Sequence, residues 1–407
     1  MLTITRDQAK TFILIKQGLL GKHRFTGKEG AYRYVCDAGC VQYDPVDVCG
    51  RNAELTLLSR VKGFKRETLA ELLYQDRLLV DYPDKELSIW PARDWPYFES
   101  YRQRSREHAK NFPELEALEE KAAAYIRKNG PVSSDTLPIG GEIFWHSAMH
   151  WSGNWAGRSP AARSVLEQMY TDGTLLIHHK AGTRKFYDLA DRYLPPEVLG
   201  APCPCPDEKS FRQWRIARRI GAVGLLWDRR SDAFLGIKMT PGERSEAFAA
   251  LTGTGVIAPV GVEGIRIPLY MLRRDEGLME DVLGGTADRK ARLEFLAPLD
   301  PMLWDRKLVE ALWDYQYSWE IYTPKEKRRY GHYVLPMLYG ERFAGRIEAA
   351  ADRRRGVLDV KNIWFEPGIK NGKRMDAAIG KALWRLAAFN GCAEVRGVFG
   401  DGPVRGA

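Results

Sequence analysis

The sequence predicts an α+β protein of several domains, and two patterns along the chain carry that prediction. A helix followed by two strands recurs three times between residues 66 and 270, and the chain from Arg292 onward reads as consecutive strands. A length of 407 residues is too great for one hydrophobic core and indicates two to four domains. Hydrophobic residues make up 44% of the chain and charged residues 28%, as in ordinary globular proteins.

The repeated element is a helix, a strand, a polar turn and a second strand. The three copies differ in sequence, but each turn is flanked by β-branched, leucine or aromatic residues, which is typical of a hairpin. The copies are RETLAELLYQD, RLLVDY, PDKE and LSIW (66–90); PAARSVLEQMYTDG, TLLIHH, KAGT and RKFYDL (160–189); and PGERSEAFAALTG, GVIAPV, GVEG and IRIPLY (241–270).

Residues that begin and end helices mark the second and third copies. Ser159-Pro160 and Thr240-Pro241 each place a hydroxyl at the predicted N-cap and a proline at the first helical position. Gly173 and Gly253 are predicted to end these helices in the left-handed conformation.

Helical stretches precede every copy, and two or three helices closed by a hairpin form a winged helix. The recognition helix of such a domain can enter the major groove while the wing contacts the backbone. Winged helices also serve as protein-interaction modules. Three copies and a basic surplus favour DNA, since 13 basic and six acidic residues lie between Lys325 and Arg374. We predict winged helices at 1–95, 96–195 and 207–275.

The C-terminal third has a different pattern, with strands that follow one another closely. Such a run predicts a curled sheet or small barrel, and we expect a β-barrel-like domain with a terminal helix at 290–407. The predicted strands lie in RLEFLAPLD, YSWEIYT, HYVLPMLYG, RFAGRIEAAADR, GVLDVKNIWFEP and AEVRGVF, and the helix is MDAAIGKALWRLAAFNG.

Composition narrows the cellular setting. The formal net charge of +9 is compatible with nucleic acid, and no apolar run approaches the roughly 20 residues of a membrane helix. The N-terminus has the pattern of a mature helix and not that of a signal peptide. Six cysteines are few for this length and indicate a reducing compartment, so we expect a cytoplasmic, nucleoid-associated protein.

No metal site and no cofactor are predicted. Cys203 and Cys205 lie in a proline-rich linker and lack the two-residue gap of common zinc sites. His146 and His150 could share a helical face, but no third ligand accompanies them. We found no glycine-rich phosphate loop and no nucleophile elbow.

One segment, GCVQYDPVDVCGRNAEL, could carry chemistry. Pro45 biases Asp44 toward an extended conformation, in which side chains two apart share a face. Gln42 and Asp44 would then point one way and Tyr43 the other. An amide and a carboxylate side by side can hold one water molecule, which the amide orients and the carboxylate deprotonates. A polar turn or a cap for the next helix explains the same residues.

Three stretches resemble the YcaQ/AlkZ family of winged-helix DNA glycosylases, and together they span nearly the whole chain. The first contains Gln42-Tyr43-Asp44 and is similar to the Asp-containing YcaQ branch of the family. The second lies in the middle copy, and the third is the most specific. They are VQYDPVDVCGRNAELTLLSRV, WSGNWAGRSPAARSVLEQMYTDGTLLI and LAPLDPMLWDRKLVEALWDYQYSWEIYTPKEKRRYGHYVLPMLYGERFAGRIEAAADRRRGVL.

The resemblance implies three tandem winged helices, a C-terminal β-barrel and hydrolysis of bulky or cationic N7-alkylpurines in double-stranded DNA. Some members of the family unhook interstrand crosslinks. Gln42 and Asp44 would be the catalytic pair. Tyr43 departs from the family, which usually has an aliphatic residue there, and its ring could narrow the site.

Two residues can suffice for this reaction because an N7-alkylated purine is already cationic and leaves as a neutral base. Asp44 would stabilise the oxocarbenium-like sugar and deprotonate the water, and Gln42 would orient that water. No lysine lies within the motif, so we expect hydrolysis without a Schiff base.

We predict DNA contacts at Arg51 and Arg60, on the helix after the motif, and at Arg328, Arg329 and Tyr330 in the C-terminal block. Each arginine could equally be an ordinary surface residue. We expect a monomer. A non-enzymatic winged-helix regulator and a protein-interaction scaffold remain the alternative functions, and the scaffold predicts little salt-dependent affinity for DNA.

Overall fold

The computed structural model describes residues 1–144, 158–370 and 372–397, which mix helices and strands as predicted for an α+β protein. The chain forms two compact units. The first unit comprises Met1–Leu69, Asp84–Ile89 and the chain from Arg212 onward, and the second comprises Ala70–Pro83 and Trp90–Phe211. The division runs through the hairpin of the first repeat. Within the described ranges, no helix is long and apolar enough to cross a membrane.

The helices of the described residues are, in chain order, α1 (Arg6–Lys16), α2 (Gly27–Ala38), α3 (Asn52–Leu58), α4 (Arg66–Tyr74), α5 (Glu99–Ala109), α6 (Pro113–Asn129), α7 (Ala161–Thr171), α8 (Pro196–Leu199), α9 (Glu208–Val223), α10 (Pro241–Gly253), α11 (Glu276–Leu283), α12 (Arg306–Trp313) and α13 (Lys373–Phe389).

The strands are β1 (Leu2–Ile4), β2 (Phe25–Thr26), β3 (Val41–Gln42), β4 (Val61–Lys62), β5 (Leu79–Asp84), β6 (Glu86–Pro91), β7 (Glu142–Phe144), β8 (Arg158–Pro160), β9 (Leu175–Ala181), β10 (Arg184–Leu189), β11 (Leu226–Trp227), β12 (Ile257–Val262), β13 (Ile265–Leu272), β14 (Leu293–Phe295), β15 (Val334–Tyr339), β16 (Arg342–Asp352), β17 (Val357–Phe365) and β18 (Glu394–Gly397). A helix followed by a hairpin is therefore present in all three repeats. The three winged-helix domains and their boundaries stay predictions.

In the first unit, the third repeat belongs to a four-stranded sheet in the order β1-β12-β13-β11. The N-terminal strand β1 runs parallel to β12, with Thr3 opposite Gly261. Thr240 caps α10 by accepting the Glu243 N–H, so the predicted cap is confirmed. The left-handed residue after this helix is Gly255, at φ +73°, and not Gly253, because α10 continues through Gly253.

The C-terminal sheet of the first unit has the order β14-β15-β16-β17-β18. Its strands are antiparallel except for β17 and β18, which are parallel and are joined by α13. The predicted strand at 317–323 is wrong, because this stretch is irregular. Glu320 explains the difference, since its carboxylate accepts the backbone N–H groups of residues 329, 330 and 331 and draws the two loops together.

The second unit contains α5, α6, α7 and the hairpin of β9 and β10. An aromatic cluster fills its core, in which Trp90 stacks on Phe98 with ring centroids 4.3 Å apart. The helix of the second repeat begins at Ala161, one residue later than predicted, because Pro160 is the N-cap. Gly173 follows this helix at φ +85°, as predicted.

Candidate active site

The candidate site begins where α2 ends. Gly39 follows α2 at φ +74° and turns the chain into β3, which pairs antiparallel with β6. Gln42 lies opposite Ser88 in this register, and the Tyr43 N–H donates to the Leu87 carbonyl at 2.8 Å. The backbone is thus paired from Val41 to Tyr43, and the extended conformation of Asp44 stays a prediction.

Gln42 is nearly buried, with 6% of its surface exposed. Its side-chain Oε1 accepts a hydrogen bond from Lys85 Nζ at 2.9 Å. Its backbone oxygen accepts from Asn52 Nδ2 at 2.7 Å, and Asn52 Oδ1 in turn accepts the Leu299 N–H. Gln42 is therefore fixed at both its side chain and its backbone.

Asp44 is half-buried, and its Oδ1 accepts the Val46 N–H at 2.9 Å. Burial raises the pKa of Asp44 above its ordinary range, and the hydrogen bond from Val46 offsets part of that rise. No cation of the described residues pairs with Asp44, and a carboxylate that is partly desolvated in this way is more basic than an exposed one. Asp44 is therefore suited to accept a proton from water.

We call residues 42–51 the motif segment, and its second half is held by residues far away in the sequence. Three successive carbonyls each receive a donor from the C-terminal region. The Ala351 N–H donates to Val48 O at 2.9 Å and Asn390 Nδ2 donates to Cys49 O at 2.9 Å. The Tyr333 hydroxyl donates to Gly50 O at 3.2 Å. These contacts shape a stretch that has no regular structure of its own.

Asp47 ties the motif segment to two arginines. Arg66 lies 2.8 Å and Arg353 2.5 Å from its carboxylate oxygens. Burial alone would raise the pKa of Asp47, but the two guanidinium groups outweigh burial and lower it. Asp47 is thus an ionised anchor, whereas no arginine in the described part of the chain pairs with Asp44, three residues earlier.

Arg60 was predicted to contact DNA, and the structure shows that this prediction is wrong. Its side chain is fully buried and forms a two-pronged ion pair with Asp300, at 2.7 and 2.6 Å. It also lies beyond the end of α3, and Arg51 lies at the N-cap of that helix. Arg51 is about one quarter exposed and pairs with Glu54.

The hairpin of β5 and β6 buries two residues of its turn, whereas a wing that contacts a DNA backbone would expose them. Asp84 and Lys85 are 4% and 3% exposed. The Asp84 carboxylate accepts from Arg215 at 2.9 Å and from Arg219 at 2.6 Å, both on α9. Although burial would raise the pKa of Asp84, these arginines hold it far below its usual range.

The predicted contacts in the C-terminal block lie on one loop. Arg329 is exposed, whereas Arg328 is half-buried and donates through Nε to the Thr323 carbonyl at 2.8 Å. The Tyr330 ring lies edge-on to Trp364 with centroids 5.4 Å apart, and the Arg346 guanidinium is 4.1 Å from its centroid. Of the predicted DNA contacts, Arg329 is exposed, whereas Arg51, Arg328 and Tyr330 are half-buried.

Two basic cavities of the first unit are each lined by one of the two arginines that hold Asp47. One, of about 690 Å³, includes Arg353, and the other, of about 630 Å³, includes Arg66. The remaining charged residues that line them are Asp352, Arg354, Arg355, Asp359 and Arg396 in the first, and His23, Lys62, Lys65, Glu67, Lys381 and Arg385 in the second.

Sequence reasoning missed Lys85, Asn52, Asp47 and Tyr333. Asn52 and Asp47 lie inside the quoted motif, and Tyr333 lies in the C-terminal block, so their neighbourhood was visible but their roles were not. Nothing in the sequence links Lys85 to Gln42, because 43 positions separate them. Among the described residues, no group of three or more metal-binding side chains is formed, and His146 and His150 lie outside these residues.

Comparisons with known proteins identify a family and a similar fold. A family model described as "DNA glycosylase AlkZ-like" matches residues 35–389. The fold is similar to that of the Streptomyces sahachiroi DNA glycosylase AlkZ, with a TM-score of 0.63 and 17% sequence identity. That similarity covers 97% of this chain and 100% of the Streptomyces chain.

Proposed function

Since this chain belongs to the AlkZ-like family of DNA glycosylases, we propose that it hydrolyses the N-glycosidic bond of cationic N7-alkylpurines in double-stranded DNA. One observation carries the proposal. Asp44, a half-buried carboxylate with no paired cation among the described residues, follows an almost buried amide, Gln42, on a segment that the C-terminal region holds in place. The direct test is release of N7-methylguanine from a duplex. A protein that binds the duplex and releases no base would be the DNA-binding regulator instead.

In the proposed reaction, the alkylated base leaves as a neutral molecule, so no acid is required to protonate it. Positive charge develops on the sugar, where the Asp44 carboxylate stabilises it. Asp44 then takes the proton of the attacking water, a role for which its raised pKa is suited. Gln42 does not titrate, and it orients the water and the sugar.

We also propose that interstrand crosslinks joined through N7 are substrates. Many repair enzymes rotate the target base into a closed pocket, which a base tied to both strands cannot do freely. Neither of the two basic cavities described above is lined by Gln42 or Asp44. We propose that such a base is attacked while it stays near the duplex.

The DNA surface that we propose includes Arg51, Arg328, Arg329 and Tyr330. Exposed arginines between β16 and β17 extend it, since the Arg355 side chain is 71% exposed. Arg353 of the same turn contacts Asp47 in the motif segment. Phosphate contacts on this turn would therefore place the backbone beside the catalytic pair.

Affinity for DNA should depend steeply on salt. For about six neutralised phosphates, we expect the association constant to fall about 1,000-fold between roughly 50 and 200 mM salt. Arg329→Ala should reduce the slope of log K against log salt by about one, because an exposed guanidinium that contacts a phosphate releases one counterion. Fluorescence anisotropy of a labelled duplex measures the slope. Lys22→Met, which removes another exposed charge, is the control, and equal slopes for Arg329→Ala and wild type would remove Arg329 from the DNA surface.

We expect hydrolysis without a covalent intermediate. Among the described residues, Lys85 is the lysine that contacts the catalytic pair. It is only 3% exposed, and its Nζ donates a hydrogen bond to Gln42 Oε1. Borohydride treatment of the protein with a duplex carrying an abasic site should therefore trap no protein–DNA adduct. An adduct formed by wild type and lost in Lys85→Met would show that Lys85 attacks the sugar.

A further inference from the structure

We propose that Lys85 is a positioning residue that fixes the direction of the Gln42 amide, so that Gln42 turns its N–H donors toward the attacking water. This inference rests on the function proposed above. Nothing in the motif itself assigns a role to Lys85, which lies in the turn between β5 and β6.

The direction of the Gln42 side-chain amide follows from hydrogen-bond chemistry. A protonated lysine has three donors and no acceptor, so the atom of the carboxamide that faces it must be the oxygen. Lys85 Nζ lies 2.9 Å from Gln42 Oε1, and Asn52 Nδ2 donates to the backbone oxygen of the same residue. Both contacts leave the Gln42 Nε2 group to donate elsewhere.

A donor at this position complements Asp44. Water that accepts a hydrogen bond from Gln42 Nε2 and donates one to Asp44 keeps a second lone pair for attack on the sugar carbon. If the amide were rotated by half a turn, its oxygen would compete with Asp44 for the protons of the water. The orientation that Lys85 selects therefore leaves proton transfer to the carboxylate alone.

Lys85 is itself held in place. Its ammonium lies 5.0 Å from the centroid of the Trp304 ring, a cation–π distance. The Ser88 hydroxyl donates to the Lys85 carbonyl at 2.8 Å, and the preceding Asp84 is clamped by Arg215 and Arg219. With the turn fixed on both sides, the ammonium has little freedom to leave Gln42.

The charge on Lys85 makes the orientation of the Gln42 amide depend on pH. Burial first, and then Arg219, lower the pKa of Lys85 to about 7. Below that pH the ammonium can only donate and Gln42 has one direction. Above it, neutral Lys85 has a lone pair that can accept from Gln42 Nε2, so both directions of the amide become compatible. The charged and titratable groups that act on Lys85 are Arg219, Cys40, Asp232 and Glu86.

Wild type should therefore show a bell-shaped rate profile. The rate rises with pH as Asp44 loses its proton, above the ordinary range of an aspartate because its pKa is raised. It falls again as Lys85 loses its proton near pH 7. The fall marks the loss of a fixed amide and not the loss of the base.

The test is single-turnover release of N7-methylguanine from a duplex between about pH 5 and 9, corrected for release without protein. Lys85→Met should lower the rate at pH 6 by roughly ten- to 100-fold, the value of a hydrogen bond to a charged group. It should also abolish the decline above pH 7, while DNA affinity stays that of wild type. Lys22→Met is the control and should keep both the rate and the profile.

Methionine relieves the burial of a charge, so the variant is expected to fold, and thermal unfolding checks this. A Lys85→Met protein with the wild-type rate and profile would overturn the proposal. A readout without catalysis separates this proposal from the glycosylase assignment. The side-chain amide resonances of Gln42, identified by their loss in Gln42→Leu, should titrate near pH 7 in wild type. Resonances that do not move with pH would also overturn the role of Lys85, whether or not base is released.

Discussion

Asp44→Asn should lower the single-turnover rate of base release by about 100- to 10,000-fold, the usual contribution of a positioned general base. Asparagine is nearly the same size and can still accept the Val46 N–H through its oxygen, so the turn at Pro45 is preserved. It carries no negative charge to stabilise the sugar cation and has no basic oxygen to accept the proton of water. The measurement is release of N7-methylguanine with protein in excess over duplex.

The matched control is Asp37→Asn. Asp37 is also half-buried and lies seven residues earlier, at the end of α2, so the same charge is removed without touching the motif segment. Its rate should stay that of wild type. Affinity for the duplex, measured in parallel, should be unchanged or slightly higher for Asp44→Asn, because a carboxylate near DNA repels phosphates. Unchanged base release by Asp44→Asn with intact binding would contradict the catalytic assignment.

Arg60→Met should lower the free energy of unfolding by about 3–5 kcal/mol, the cost of removing one partner of a buried ion pair. Both side chains of the pair are fully buried, so Asp300 would keep a charge without a counterion. Gln17 Oε1 and Ser59 Oγ would also lose the guanidinium to which they are bonded. Urea unfolding followed by tryptophan fluorescence gives the change in free energy, provided that the transition is two-state.

The double variant Arg60→Met/Asp300→Leu should recover a large part of that loss, since replacing a whole buried pair by apolar residues is often neutral. The same variants distinguish a structural arginine from a DNA contact. If Arg60 contacted a phosphate, Arg60→Met would retain its stability and reduce the salt dependence of DNA binding by about one. A variant with that behaviour would restore the role that the sequence suggested.

Local patterns predicted the elements that local chemistry determines. Thr240 caps α10 and Gly173 follows α7 in the left-handed conformation, because a hydroxyl and a glycine satisfy helix ends whatever surrounds them. Pro45 predicted an extended conformation for Asp44, whereas the pairing with β6 fixes Val41 and Gln42 and leaves the prediction for Asp44 untested. The Gln-x-Asp pair itself could be identified only through its resemblance to a family.

What the sequence could not show is which polar residues become buried. Arg60 follows a helix whose residues are all buried, and only the carboxylate of Asp300, 240 positions later, reveals that it is part of the core. Lys85 looks like an ordinary residue of a polar turn until the turn is seen beside Gln42. Glu320 interrupts a pattern that favours a strand by binding three backbone N–H groups of another loop. Each of these is a tertiary contact that periodicity does not record.

The three carbonyls at Val48, Cys49 and Gly50 have a consequence for how such an enzyme can change over time. The motif segment carries the side chains that would perform the chemistry, and the residues that hold it in shape lie 283 to 341 positions later in the sequence. Replacing either portion with that of a homologue would separate the motif segment from the residues that fit it. We therefore expect substitutions in the motif segment and in the C-terminal region that holds it to be coupled.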